Sequence, residues 1–152
     1  MSASQQIVVG VDGSPSSVQA LKWAIGQAAL LNTTLTGASI EAVSAWHFPN
    51  SHGAPLADTG DYPVLAAETL DKAIATARNE STGPGEADVT ITSYVGEGPA
   101  DEILLDRGRH ARLLVVGNRG HGGLSEALLG SVSQRLVHHA TVPVVVIRDG
   151  AA

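Results

Sequence analysis

The stretch LLVVGNRGHGGLSEALLGSVSQRLVHHATVPVVVIR, residues 113–148, decides the fold. Leu113 to Val116 is a four-residue apolar run rich in valine, too short for a helix. Such a run reads as a strand buried on both faces. A loop with Gly117, Gly120, Gly122 and Gly123 follows. Gly130-Ser131 then opens a short amphipathic helix to about His139, and Val142 to Ile147 closes the stretch as a second strand. Strand, glycine loop and helix N-terminus together can hold a phosphate. Glycines let backbone N–H groups approach an anion, and the first helical turn offers spare N–H donors and the positive end of the dipole. Ser131 and Ser133 add hydroxyls there. Equally, the glycines can serve only as turns and the serines only as caps.

Upstream, the chain alternates. Gln6 to Val11 reads as a buried strand, broken by Asp12-Gly13-Ser14-Pro15. Ser14 is suited to the N-cap and Pro15 to the first helical position. Val18, Leu21, Ile25, Ala28 and Ala29 give a helical apolar face, and the helix is expected to end near Thr36, before Gly37. Ser39 to Trp46 is a second strand, 47–62 a polar loop, and Pro63 to Glu80 a helix with Leu65, Leu70, Ile74 and Ala77 on one side. Asp88 to Val95 alternates as a strand does, and Pro99 to about His110 is a helix with acidic residues first and basic ones last. The order β-α-β-α-β-α-β-α-β predicts an α/β fold, a single doubly wound parallel sheet covered on both faces.

Composition narrows the function. At 152 residues the chain fits one domain with a real core. Its formal charge of −6 argues against a nucleic-acid binder. With no cysteine there is no thiolate metal site or thiol nucleophile. No apolar run approaches the roughly 18 residues of a membrane span, and MSASQQ lacks the features of a leader, so a cytoplasmic protein is expected. There is no G-x-x-x-x-G-K-S/T, no G-x-G-x-x-G after the first strand and no G-x-S-x-G elbow. His138 and His139 suit a helix C-terminus. His47, His52, Asp58 and Asp61 are irregularly spaced and read as solvated, and Trp23 and Trp46 as packing residues.

Gly117-Asn118-Arg119-Gly120, nine residues, then Gly130-Ser131 form the pattern G-x2-G-x9-G-S/T. This resembles the ATP-binding signature of the universal stress protein family. VVGNRGHGG, LLGSVSQRLVHHA and PVVVIR are similar to that family's C-terminal half, particularly in actinobacterial members, and IVVGVDGSPSS is similar to its first strand and loop. The resemblance covers nearly the whole chain. Arg112 departs from it, standing where the family often has an acidic residue.

The resemblance implies one universal stress protein domain over 1–152, a Rossmann-like five-stranded sheet in the order 3-2-1-4-5, and bound ATP with Mg2+. Ligands in such sheets lie beyond the strand ends where the order reverses, here after strands 1 and 4. The implied site takes Gly10, Val11 and Asp12 from the first loop and Val116, Gly117, Asn118, Arg119, Gly120, His121, Gly122 and Gly123 from the second. Gly130, Ser131, Val132 and Ser133 come from the last helix start. The family's adenine contact, made by backbone, falls near Ala45. Asp12 reads two ways: it can form an Asx-turn before the helix, or accept a ribose hydroxyl or hold a divalent ion through water. The implied role is a nucleotide-dependent stress or regulatory module. Two alternatives stand beside it: a slow ATPase or phosphoryl-transfer enzyme, disfavoured by the missing lysine and general base, and a module for cAMP or another adenine nucleotide. The family also implies a homodimer through Val144 to Arg148, an apolar edge strand paired with its copy.

Overall fold

A computed structural model describes residues 4–47, 61–119 and 129–148. Five strands form one sheet: β1 (Gln6–Gly10), β2 (Ser39–Trp46), β3 (Thr90–Glu97), β4 (Leu113–Gly117) and β5 (Val144–Ile147). Between them run α1 (Pro15–Leu31), α2 (Tyr62–Glu80), α3 (Ala100–Arg107) and α4 (Ser131–His139). The order across the sheet is β3-β2-β1-β4-β5 and every pairing is parallel. The α/β fold with order 3-2-1-4-5 is thus the one the alternation and the resemblance predict.

The pleat sorts the side chains. Ile7, Val9, Ile40, Ala42 and Val115 form one core with Leu21 and Ile25 of α1 and Leu70, Ala73 and Ala77 of α2. Their neighbours in sequence, Val8, Val43, Leu114 and Val116, form the other with Leu104 of α3 and Leu136 of α4. Successive strand residues point to opposite faces, so near-continuous apolar strands need helices on both sides. Within β2, which also buries Ser44, the charged exception is Glu41, 8% exposed. Arg107 answers it from α3, donating through Nε at 2.9 Å and Nη2 at 2.5 Å, and its guanidinium lies 4.0 Å from the Tyr94 ring centroid. The hydrogen bond to Glu41 raises the Arg107 pKa above its usual value, against the opposing effect of burial.

Several boundaries differ from expectation by one to five residues, and four of them have local reasons. α1 stops at Leu31, not Thr36. Asn32 Oδ1 accepts from the Ala38 N–H at 2.9 Å, and the Thr33 hydroxyl turns back to the Leu30 carbonyl at 2.7 Å. Such side-chain bonds compete with helix continuation. β3 begins at Thr90 because Glu86–Asp88 form a 3-10 turn. α3 ends at Arg107, with Gly108 at its C-cap. β5 begins at Val144, after Pro143, whose carbonyl accepts from the Leu114 N–H at 3.0 Å. In α2, Leu65 is exposed, unlike Leu70. Five residues along a helix turn through about 140° from a common stripe, so the two cannot share a face. Loop residues 48–60, with His52 and Asp58, lie outside the described residues.

Candidate functional site

The first loop is built by local polar chemistry. Val11 stays paired past β1, its N–H donating to the Val43 carbonyl at 2.8 Å. Asp12 is exposed, and its Oδ1 accepts from the Ser14 N–H at 2.9 Å, which is the Asx-turn. Gly13 has φ +85°, a left-handed conformation that side chains resist. Ser14 is then the α1 N-cap, accepting from the Ser17 N–H at 3.3 Å, with Pro15 in the first turn.

The second loop leaves β4 under tighter control. Asn118 is 5% exposed. Its N–H donates to the Ile147 carbonyl at 2.8 Å, and its carbonyl accepts from the Gly130 N–H at 2.7 Å. The exit of β4 is therefore bonded to the end of β5 and to the start of α4. Gly130 is the α4 N-cap and has no side-chain cap bond. Ser133 is buried, and its hydroxyl donates toward the carbonyls of Gly130 at 3.0 Å and Asn118 at 3.3 Å. Ser131 is exposed and Val132 half-buried. The two α4 serines are thus unlike each other: the Ser133 proton is engaged by the protein, and neither serine is the N-cap.

The two loops meet. The Ser16 hydroxyl, in the first turn of α1, donates to the Arg119 carbonyl at 2.5 Å, and the Ser14 hydroxyl lies 3.4 Å from the same oxygen. Gly117 permits this contact. A Cβ there would fall 2.7 Å from Ser16 Cβ and 2.8 Å from its carbonyl carbon, distances real side chains do not tolerate. Gly10, at the end of β1, lies under Leu104 and Val116. Ala45 is half-buried near the end of β2, paired with Gly96 and two residues beyond the Gly10–Val43 pair. Sequence reasoning passed over Ser16; its signal was the doublet Ser16-Ser17 in the first turn of a helix, both nearly fully buried.

The structure thus brings together Gly10, Val11 and Asp12 with Val116, Gly117, Asn118 and Arg119, and these with Gly130 to Ser133. Gly120, His121, Gly122 and Gly123 lie outside the described residues. The exits of β1 and β4 sit where the strand order reverses, and α1 and α4 both begin there. Two helix N-termini and a glycine-lined exit favour a negative ligand. Among the described residues, no three His, Cys, Asp or Glu side chains group as a metal site. No helix among them is long and apolar enough to cross a membrane.

Comparison with known proteins agrees with this geometry. The family model for the universal stress protein family matches residues 3–148. A universal stress protein of Mycolicibacterium smegmatis is 33% identical over 143 residues, covering 93% of this chain and 47% of its own length. Universal stress protein Rv1996 of Mycobacterium tuberculosis is 37% identical over 162 residues, covering 98% of this chain and 50% of its own. The chain spans about half the length of these curated relatives. A crystal structure of a universal stress protein in complex with cAMP superposes with a TM-score of 0.65 at 26% identity, covering 98% of this chain and 100% of that one. A universal stress protein from Archaeoglobus fulgidus in complex with dAMP gives 0.61 at 22% identity, over 93% and 96% of the two chains, a likeness of fold. With strand order, signature and near-complete coverage in agreement, the chain belongs to the universal stress protein family.

Proposed function

We propose that this chain binds ATP with Mg2+ between the exits of β1 and β4 and acts as a nucleotide-dependent regulatory or stress-response module. One observation carries the reading: the Gly117–Arg119 exit is bonded at once to the first turn of α1 and the N-cap of α4. Segments far apart in sequence therefore meet beside two helix N-termini, which supports a shared nucleotide crevice there. The likeness, at 26% identity, to a protein holding cAMP supports an adenine nucleotide.

In this reading the phosphates lie over Gly117 to Gly123, with His121 among them, and Gly130, Ser131 and Val132 close around them. Ser131, exposed, offers a phosphate its hydroxyl; Ser133 holds the loop base. Gly10, Val11 and Val116 form the floor. Asp12, exposed on the first loop, offers its carboxylate to a ribose hydroxyl or a water on Mg2+, and the metal itself is carried chiefly by the phosphates. The backbone near Ala45 receives the adenine. We read residues 1–152 as one such domain, working in the cytoplasm where ATP is plentiful, and as a homodimer through Val144 to Arg148. Hydrolysis, if any, is weak, because the described residues bring no lysine to the crevice.

The test is mass spectrometry of nucleotide carried through purification, followed by calorimetric competition among ATP, ADP, AMP and cAMP. Wild type should prefer ATP; a preference for cAMP would install the second reading, a cyclic-nucleotide module. Gly130→Val and Asp12→Ala, each shown folded by circular dichroism, should weaken ATP. Wild-type affinity in both variants, or no adenine nucleotide bound by the folded protein, removes the site.

A further inference from the structure

We infer that Ser16 is a positioning residue for the phosphates: its hydroxyl holds the Arg119 carbonyl against α1 and out of the nucleotide crevice. The inference rests on the nucleotide reading above and adds a residue to it. Ser16 is 2% exposed at the second position of α1. A serine in a first turn commonly bonds within its own helix, as Ser17 does with the Ser14 carbonyl at 2.9 Å. Ser16 instead donates across 103 residues of sequence, at 2.5 Å. The bond is short for two oxygens and the site is enclosed, conditions under which a hydrogen bond is strong.

The acceptor matters more than the donor. Arg119 follows the strand exit where the signature places phosphate. A carbonyl oxygen carries partial negative charge and repels a polyphosphate that it faces. Engaging the oxygen with Ser16 keeps that charge on the α1 side. Ser14 donates to the same oxygen only at 3.4 Å, a much longer and weaker bond, while its own oxygen accepts from the Ser17 N–H as the α1 cap, so Ser16 is the principal donor. Gly117, whose missing Cβ lets the two backbones meet, is the other half of the device. The exit is also fixed from its far side through Asn118 to Ile147 and Gly130, and Ser16 anchors the Arg119 carbonyl on the α1 side. That orientation bears on phosphates and not on the nucleoside, whose proposed contacts at Asp12 and Ala45 lie on other segments.

The experiment is Ser16→Ala in the full chain, titrated calorimetrically with ATP, AMP and adenosine beside wild type. Alanine suits a helix, so α1 should persist. We expect ATP affinity to fall by about tenfold, equivalent to about 1.4 kcal/mol, with AMP affected less and adenosine changed by no more than about twofold. The carbonyl 13C resonance of Arg119 in nucleotide-free protein should move in the variant, because the shorter of its two hydroxyl bonds is gone. A loss of stability alone would not change the ratio of ATP to adenosine affinity. Equal losses for ATP and adenosine would reduce Ser16 to a packing residue. Unchanged ATP binding, or an unmoved Arg119 resonance, would also overturn the inference. Failure of wild type to bind any of the three is a different result, and it overturns the nucleotide reading itself together with this role.

Discussion

Gly117→Ala gives the sharpest physical test of how the two loops are joined. The added Cβ would overlap Ser16 Oγ and would also sit 2.7 Å from Ser16 Cβ and 2.8 Å from the Ser16 carbonyl carbon, so turning the hydroxyl aside still leaves a clash with the helix backbone. Relief requires moving one partner. β4 is held by its pairing of Gly117 with Ile147 and by the Asn118 N–H on the Ile147 carbonyl at 2.8 Å. The start of α1 is held by the Ser14 cap, by Pro15 and by burial of Ser16 and Ser17. Overpacking where neither side yields costs about 2–3 kcal/mol, toward the upper end of its usual range. Replacing glycine lowers the entropy of the unfolded chain and returns about 0.5 kcal/mol. The net loss is about 1.5–2.5 kcal/mol, or about 3–10 °C in Tm for a domain of this size. Urea and thermal unfolding followed by circular dichroism measure it. A change below about 0.5 kcal/mol, the level of an ordinary surface substitution, would show that the exit of β4 does not lie against α1.

Three other outcomes are expected. Gly26→Ala should stabilise the protein by about 0.5–1 kcal/mol, because glycine weakens a helix interior and the new Cβ meets only a Glu86 carboxylate oxygen at 3.4 Å; an unfolding midpoint that falls would contradict it. Arg107→Ala should destabilise by about 1.5–3 kcal/mol, below the usual cost of breaking a fully buried pair because the arginine is partly solvated. The loss leaves Glu41 buried without its bidentate partner, and Arg107→Lys should recover only part of it; a neutral Arg107→Ala in the same melts would refute this. Val145→Lys places a charge on β5, the seam of the proposed homodimer, whose four residues are all half-buried at the sheet edge; sedimentation should show a dimer for wild type and a monomer for the variant, and a dimer in both would move the proposed interface elsewhere.

The fold was legible because its strands announce themselves. Runs such as Gln6–Gly10 and Leu113–Gly117 are too short for helices and too apolar for a sheet with one wet face, which leaves a parallel sheet between helix layers. Where the reading slipped, short-range polar chemistry had the final say. Asn32 and Thr33 stop α1 by bonding their own surroundings, a choice periodicity does not register. Leu65 misled because hydrophobicity was counted without its angle around the helix. Glu41 could not be anticipated at all: a carboxylate inside a strand reads as solvent-facing unless its partner, 66 residues away, is known to arrive there.

The site shows the same division more sharply. Spacing located the two loops, but not what holds them together, since Ser16 and Arg119 belong to no shared local pattern. The two signature glycines at the ends of the described loop base also differ in what they do. At Gly117 the missing side chain admits α1, a packing requirement that would persist in the absence of any ligand. At Gly130 the backbone supplies the α4 N-cap and an N–H to Asn118. A glycine in a binding signature can therefore be required by the protein's own close approach as much as by the ligand's. Loss of ATP binding in Gly117→Ala would not by itself assign that residue to the phosphates. The assignment needs variants that leave the loop junction whole, which is why Asp12 and Ser131, both exposed beside the proposed site, are the more informative side chains to change.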